Sequence, residues 1–500
     1  MPADNTKDFD VLIIGAGIAG AAVARELSKY NLKTAVLERN ADVCFGATKG
    51  THAIVHCGLP GSAHTPLRNR GELKGNLMME QLCKEIDVPF KRIGKLLVAF
   101  NQEQLVELKN LEVKARRNGV IDIELIISNQ RLKKMEPNIS DEVIAALYTR
   151  NTAISSPWAL TIGLIENAMN NGVRLFLETE VKSIVLDSTN KFVVQSKNQT
   201  FRADYIVNAA GIEADKIARL VGDTNFDMIG TRFQRMVMDK SCSGIVRHLV
   251  RSINDDGSVG DFISPTVYGD ILVGTTVEEV DDLYMDNTTR QGLEEWVIPN
   301  YKRIIPALDQ SNCIRPFAAV LPEAGGKNTS FDYYIKPALT QPRFINMVLG
   351  ASGFTASPAI AEYVVSELLP DAGLKLVEKH DFIPNRSDIP HINEMSNSER
   401  AEVINKNSLY GRVICRCETV SKGEVVEAIK RGATTLDGIK FRTRAGMGRC
   451  QGGFCSSRVA KIISEELGIP LEQVTKKGSC SYYVSCPTKE FTVKEGEIHE

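Results

Sequence analysis

Four cysteines near the C-terminal end, Cys415, Cys417, Cys450 and Cys455, stand as two close pairs. Four thiolates brought together are what structural zinc and iron–sulfur clusters require. The spacings are CxC and CxxxxC rather than the paired CxxC of a zinc ribbon. Glycines around Cys450 free backbone N–H groups to donate to sulfur. An iron–sulfur cluster, a zinc ion and unliganded thiols are the readings this pattern leaves open. A second stretch with chemistry lies at the other end: an apolar run over 9–14, then Gly15-Ala16-Gly17-Ile18-Ala19-Gly20, a helical run to Lys29, and an apolar run over 34–37 closed by Glu38. Gly15 permits a tight turn, Gly17 lets a pyrophosphate approach the backbone, and Gly20 lets the helix lie close on the sheet. The helix N-terminus offers free N–H groups to phosphates, and Glu38 stands where an acid accepts hydrogen bonds from ribose hydroxyls. Strand, glycine turn, helix, strand and acid together read as a dinucleotide-binding unit; the bland alternative is a glycine-rich turn in another α/β fold.

Other elements must position these groups. Apolar spacing predicts helices over 71–85, 102–117 and 157–171, the last ended by Asn170-Asn171-Gly172. Strands are expected over 94–99, 173–177 and 180–186. Residues 205–211 read as a buried strand running into Ala209-Ala210-Gly211, small enough to admit a cofactor at the carboxyl end of a sheet. Residues 232–238, 245–252, 271–275 and 333–336 suit a sheet-based substrate domain. Within it Arg315 offers planar recognition of a carboxylate or phosphate, although most arginines are surface solvators. The run 344–358 reads as strand, glycine loop and helix start, which aims N–H groups at something negative. The loop 46–58, with Thr48, His52 and His56, either passes under a cofactor or merely connects.

Composition bounds the class. Five hundred residues, 43% hydrophobic and 24% charged, give two or three ordinary globular domains. A net charge of −2 and a pI near 6.4 leave no footprint for nucleic acid. No stretch reads as a signal peptide or membrane span, so the expected location is cytoplasmic, and any membrane association has to come through a partner. Residues 383–407 carry prolines, asparagines and serines and read as a linker; 408–475 form the cysteine module, with helices from Lys422, near Leu436 and up to Leu467. Cys480 and Cys486 read as free thiols, and the charged tail from Lys489 to Glu500 as mobile.

Together these pieces resemble the D-amino-acid-oxidase-like family of FAD enzymes, most of all its glycerol-3-phosphate dehydrogenase and L-2-hydroxyglutarate dehydrogenase members. The resemblance rests on the N-terminal fingerprint, on His56 with Gly58, on Leu82-Cys83-Lys84-Glu85, on Val207-Asn208-Ala209-Ala210-Gly211 and on Gly353-Phe354-Thr355-Ala356-Ser357-Pro358-Ala359. The cysteine module is similar to the bacterioferritin-associated-ferredoxin-like 2Fe–2S domain. The resemblance implies an α/β fold with a Rossmann-type FAD-binding domain (about 1–90, 150–220 and 340–370) interleaved with a β-sheet substrate domain (about 91–149 and 221–339), plus a small, mainly helical iron–sulfur domain. It implies FAD held by Gly15, Gly17, Ile18, Ala19, Gly20, Glu38, Arg39, Thr48, His52, Val181, Ala210, Gly211, Gly353, Phe354 and Thr355. Val181 should touch the adenosine and Thr355 the flavin ring; Arg315 should hold the substrate's anionic group. The chain departs from the family where Thr51-His52-Ala53 replaces Asn-Ser-Gly, and after Arg315-Pro316, where the segment is longer and lacks the usual acids.

A flavin that takes two electrons and a cluster that carries one belong together in a dehydrogenase that delivers electrons to a partner protein. The expected reaction is oxidation of sn-glycerol 3-phosphate to dihydroxyacetone phosphate, with His56 as base. The alternatives are a 2-hydroxy acid, an amino or imino acid such as hydroxyproline, or a pure electron-transfer subunit. A phosphate would need a second cation, from Arg232 or Arg235; a carboxylate would be satisfied by Arg315 with Tyr268.

Overall fold

The computed structural model describes residues 6–58, 65–255, 257–280, 289, 293–325 and 332–486. The chain divides into two compact units, Met1–Arg39 with Val43–Asp388, and Asn40–Asp42 with Ile389–Glu500.

The first unit is built on the strand Lys7–Ile14, whose apolar run is buried on both faces as a central parallel strand must be. It pairs in parallel with Thr34–Leu37 on one side and Thr200–Asn208 on the other. Ile14 stands opposite both Leu37 and Asn208, so the three carboxyl ends finish level, where Gly15, Glu38 and Ala209 follow. Arg174–Phe176, Phe192–Gln195, Ser183–Leu186, Phe344–Val348 and Tyr334–Pro337 complete this sheet. The last of these fell within the expected substrate domain, but its antiparallel pairing with Phe344–Val348 puts it in the nucleotide sheet.

Helix Ile18–Leu27 leaves the glycine turn and packs against helices Pro157–Asn170 and Gly353–Tyr363. Helix Pro66–Glu85 crosses Gly353–Tyr363 so closely that a Cβ on Gly75 would lie 2.1 Å from the Thr355 carbonyl oxygen. That approach fixes the start of the second helix against the sheet.

An eight-stranded second sheet runs in the order Cys313–Gly325, Asp227–Met238, Ile271–Val280, Val259–Pro265, Leu249–Ile253, Lys95–Ala99, Ala145–Thr149 and Ile123–Ile126. It is antiparallel except where Leu249–Ile253 meets Lys95–Ala99. A small sheet of Ile54–Val55, Ala153–Ser155 and Phe90–Arg92 carries the chain between the two layers.

The second unit closes helices Lys422–Lys430, Leu436–Thr443 and Ser456–Leu467 over Ile414, Val425, Ile429, Ile439, Val459 and Ile463. The expected linker over 383–407 is a correction. Arg386 is buried and paired with Glu166 and Asp388 in the first unit, Ile389 enters the core of the second, and Asn397–Lys406 is a helix. Its Ser396 and Glu399 form a capping box, a local signal for a helix start that the polar composition masked. The expected mobile tail from Lys489 lies outside the described residues.

Candidate functional site

The residues of the glycine turn converge. Gly15 takes φ +104°, and a Cβ there would sit 2.4 Å from the Ala209 carbonyl oxygen; one on Gly20 would sit 1.9 Å from the Gly15 oxygen. Glu38, buried at the end of its strand, accepts the Ala16 N–H at 2.8 Å, and Thr48 Oγ1 accepts the Ile18 N–H at 3.1 Å. Fingerprint acid and loop hydroxyl therefore both meet the turn. Beyond it, a Cβ on Gly46 or Gly211 would meet nothing within 4 Å. A backbone cradle kept open by glycines beside a helix N-terminus fits the pyrophosphate of FAD. Ala210 and Gly211 follow Asn208 at the same sheet edge, whereas Val181 is buried in the core under the nucleotide sheet and Arg39 is ion-paired to Glu213.

Helix Gly353–Tyr363 starts after Ser352, which takes φ +61°. Thr355 Oγ1 accepts the His56 N–H at 3.0 Å and donates to the Ile54 carbonyl at 3.2 Å, so this buried hydroxyl locks the histidine loop to the helix start. His52 and His56 stack edge to face at 5.1 Å, and His52 meets Phe262 at 5.6 Å. His52 Nδ1 accepts the Ile54 N–H at 3.1 Å, which puts its proton on Nε2. Burial pushes both imidazoles well below the ordinary histidine range, and neighbouring groups reinforce it: the His56 ring with Arg235 and Arg251 acts on His52, and Lys95 with Arg251 on His56. Both rings are neutral at neutral pH.

Those cations are the feature sequence reading undervalued. Lys95, Arg235 and Arg251 make no ion pair among the described residues. Burial lowers the pKa of all three, Arg235 to about 9 and Arg251 to about 10, so both arginines remain charged at neutral pH. Arg235 donates through Nη1 to the Gly50 carbonyl at 2.6 Å, while its buried Nε has no hydrogen-bond partner among the described residues. Arg251 spends its Nε and Nη2 on the Gly260 carbonyl. Glu72 acts on Lys95 and Asp261 on Arg251 without closing an ion pair; holding cations in this way costs free energy that a bound anion offsets. Lys95 opens an otherwise apolar buried strand, and a lone charge in such a run was the legible signal.

Of the expected second cations, Arg232 is engaged with Glu278, which leaves Arg235. Arg315 stands opposite Val237 as Phe317 stands opposite Arg235, so both arginines share a face of the sheet, but Arg315 is exposed at the strand's outer end. Arg68, which the sequence did not single out, is held by Glu72 and reaches Ser352 Oγ at 3.3 Å; burial opposes its charge, but Glu72 outweighs burial and raises its pKa. The departure at Thr51-His52-Ala53 has a backbone cost, because Ala53 takes φ +57°, where glycine is favoured.

In the second unit the four cysteine sulfurs form a chain. Cys455 is hydrogen-bonded to Cys415, Cys415 Sγ lies 3.9 Å from Cys417 Sγ, and Cys417 Sγ lies 3.7 Å from Cys450 Sγ. Ligands about 2.3 Å from a tetrahedral metal are about 3.8 Å apart. Among the described residues no group of three or more His, Cys, Asp or Glu is arranged to hold a single metal ion, as structural zinc requires. A string of thiols suits a dinuclear cluster, in which each iron takes two.

Backbone N–H groups complete the cradle: those of Gly446 and Glu418 point at Cys415, that of Cys450 at Cys417, and those of Gly452 and Phe454 at Cys450. The Cys455 contact, helped by the N–H groups, draws the Cys415 thiol down to about 5. A Cβ on Gly448 would lie 2.9 Å from Cys417 Sγ, so only glycine fits there. The buried Glu418 and Arg444 pair at 2.8 Å beneath these loops. Cys480 and Cys486 take no part in this chain of sulfurs.

A family model described as FAD dependent oxidoreductase matches residues 10–367, and one described as BFD-like [2Fe-2S] binding domain matches residues 413–465, which include all four cysteines. A glycerol 3-phosphate dehydrogenase of Caloramator mitchellensis is 38% identical over 96% of this chain and 99% of its own length. One subunit of the anaerobic glycerol-3-phosphate dehydrogenase of Escherichia coli is 23% identical over 93% of this chain and 89% of its own. The solved structure of a dithionite-reduced L-α-glycerophosphate oxidase from Mycoplasma pneumoniae with FAD bound matches with a TM-score of 0.71 and 26% identity, over 77% of this chain and all of that one. No described helix is long and apolar enough to cross a membrane.

Proposed function

The chain belongs to the family of FAD-dependent oxidoreductases, and from that premise we propose that it oxidises sn-glycerol 3-phosphate to dihydroxyacetone phosphate and passes the electrons through a 2Fe–2S cluster to a redox partner. The observation that carries this reading is a group of cations without ion pairs among the described residues, Lys95 and Arg235 buried and Arg251 half-buried, beside a neutral His56. A dianionic phosphate offsets more of the charge offered by Lys95, Arg235 and Arg251 than a single carboxylate does.

When bound, FAD supplies a two-electron acceptor and the cluster a one-electron carrier. The chain's own groups do the rest. The Gly15–Gly20 turn, Glu38 and Thr48 hold the dinucleotide, with Gly211 leaving room at the sheet edge. Thr355 fixes the His56 backbone, and the neutral imidazole takes the C2 hydroxyl proton at its unprotonated ring nitrogen. The buried cations anchor the phosphate, which orients C2, and Arg315 at the outer end of the same face attracts the incoming anion. Cys415, Cys417, Cys450 and Cys455 hold the cluster. The M. pneumoniae oxidase matches only about three-quarters of this chain. The C-terminal unit supports a dehydrogenase that hands electrons to another protein, which suits the multi-subunit name of the E. coli relative.

The test is anaerobic mixing of the FAD-loaded chain with glycerol 3-phosphate, 2-hydroxyglutarate, lactate, proline and hydroxyproline in parallel, followed at the flavin absorption near ~450 nm. Bleaching by glycerol 3-phosphate is expected. Bleaching by a hydroxy or amino acid alone would overturn the substrate, and no bleaching by any of them, with dithionite still reducing the flavin, would favour a pure relay.

A further inference from the structure

The cysteine chain is not uniformly enclosed. Cys415 and Cys455 are buried, whereas Cys417 is exposed and Cys450 half-buried. Among the described residues next to the cysteines in sequence, the exposed charges have one sign. Arg412, Arg416, Arg449 and Arg458 are all exposed, and each lies at most three positions from one of the four cysteines. Consecutive Cα atoms are about 3.8 Å apart, so the backbone of each arginine lies within about 11 Å of a cysteine Cα. Residues 411–417 and 446–458 contain no acid at all, and Glu418 between them is buried against Arg444. Phe454 stands 79% exposed, directly before Cys455, and Val413 is 42% exposed. Most exposed apolar residues need no explanation. A largely exposed phenylalanine with exposed arginines on either side of it in sequence, on a chain whose net charge is −2, does.

We propose that this face, with Phe454 as its apolar centre and Arg412, Arg416, Arg449 and Arg458 as its cationic rim, is the docking surface for an acidic one-electron carrier protein. The inference rests on the reading that the four cysteines hold the cluster through which electrons leave. An apolar centre with a charged rim is how transient protein interfaces are built, and the rim sets encounter rate and partner choice more than final affinity. Local positive potential attracts a carrier whose own cofactor is surrounded by carboxylates and repels a basic one, although the molecule as a whole is slightly anionic. Each transfer oxidises the cluster by one electron and reduces the carrier by one, with no proton or bond exchanged.

The experiment uses the full cofactor-loaded chain and a fluorescently labelled small acidic ferredoxin as probe, with binding read by anisotropy at about 20 mM and about 200 mM salt, on either side of effective screening. Binding at low salt should weaken at least about tenfold at the higher salt, and a basic cytochrome c should bind at neither. Arg416→Glu with Arg449→Glu should cost about tenfold at low salt; Arg458→Glu, on the helix outside the ligand loops, tests the same rim without touching the cradle. The cluster's electron paramagnetic resonance signal and flavin reduction by substrate are followed on the same samples. Loss of either in the unaltered chain would sink the underlying reading instead. The docking proposal is overturned if the probe does not bind at low salt, if the charge reversals leave binding unchanged with the cluster intact, or if binding appears only after residues 487–500 are removed, which would place the glutamate-rich tail on these arginines.

Discussion

The two candidate sites treat charge in opposite ways. Around His56 in the first, Lys95 and Arg235 are buried and Arg251 half-buried, and among the described residues none of them is in an ion pair and Arg235 Nε has no partner. Beneath the cysteine loops of the second, Glu418 is closed against Arg444 at 2.8 Å, and Glu424 accepts both the Ser421 N–H and hydroxyl. The difference follows from what each site must do. A substrate comes and goes, so its counter-charge has to stay open and the fold carries the cost. A cluster cradle holds a resident group, so its supporting charges can be satisfied permanently and serve as struts.

This contrast predicts opposite outcomes for formally similar substitutions. The largest effect is expected from Arg444→Met, which takes the guanidinium away from the buried Glu418: about 3–5 kcal/mol of lost stability in the second unit, read by denaturant unfolding together with loss of bound iron. Arg235→Met should raise KM for glycerol 3-phosphate by ~100-fold while raising the melting temperature of the substrate-free protein, since removing an orphan cation relieves strain that only the substrate repays. If Arg235→Met destabilised the substrate-free protein instead, the contrast would fail.

Acidification sharpens the same comparison. His52 and His56 have folded pKa values below their unfolded value of about 6.5. The unfolded chain therefore binds more protons as pH falls through that value, and stability present above it is lost below it, at up to about 1.4 kcal/mol per pH unit for each histidine. Unfolding of the first unit should follow this slope, and kcat/KM should hold its acid limb below about pH 6.5. Replacing His56 with glutamine should remove its share of the slope and the limb together. The smallest effect is Ala53→Gly, which relieves a left-handed alanine and should stabilise the first unit by about 1 kcal/mol in thermal unfolding.

Much of this was legible in the residues. The helix expected over 102–117 is Gln102–Arg117, and that expected from Lys422 is Lys422–Lys430, because amphipathic spacing and caps act within one turn. The fingerprint glycines were readable for the same local reason: each answers a steric demand of the turn it occupies. The interleaving of two sheets also followed from the order of elements, with Tyr334–Pro337 misassigned because a short strand does not announce its partner. Residues 383–407 were misread because Arg386 is anchored by Glu166, a residue remote in sequence.

What the sequence alone determined, then, is whatever depends on neighbours along the chain: the dinucleotide turn, the spacing of the cysteines and the helices that carry them. The tertiary structure decided which charges are left alone. Arg315, Arg232, Arg235, Arg251 and Lys95 are all cations on strands of one sheet, and nothing local to them says which is exposed, which meets a carboxylate and which is buried unpaired. That depends on strand register and on what packs over each face. The free energy of a charge is set by its solvent and its counter-charges, and both are assembled only when distant segments come together.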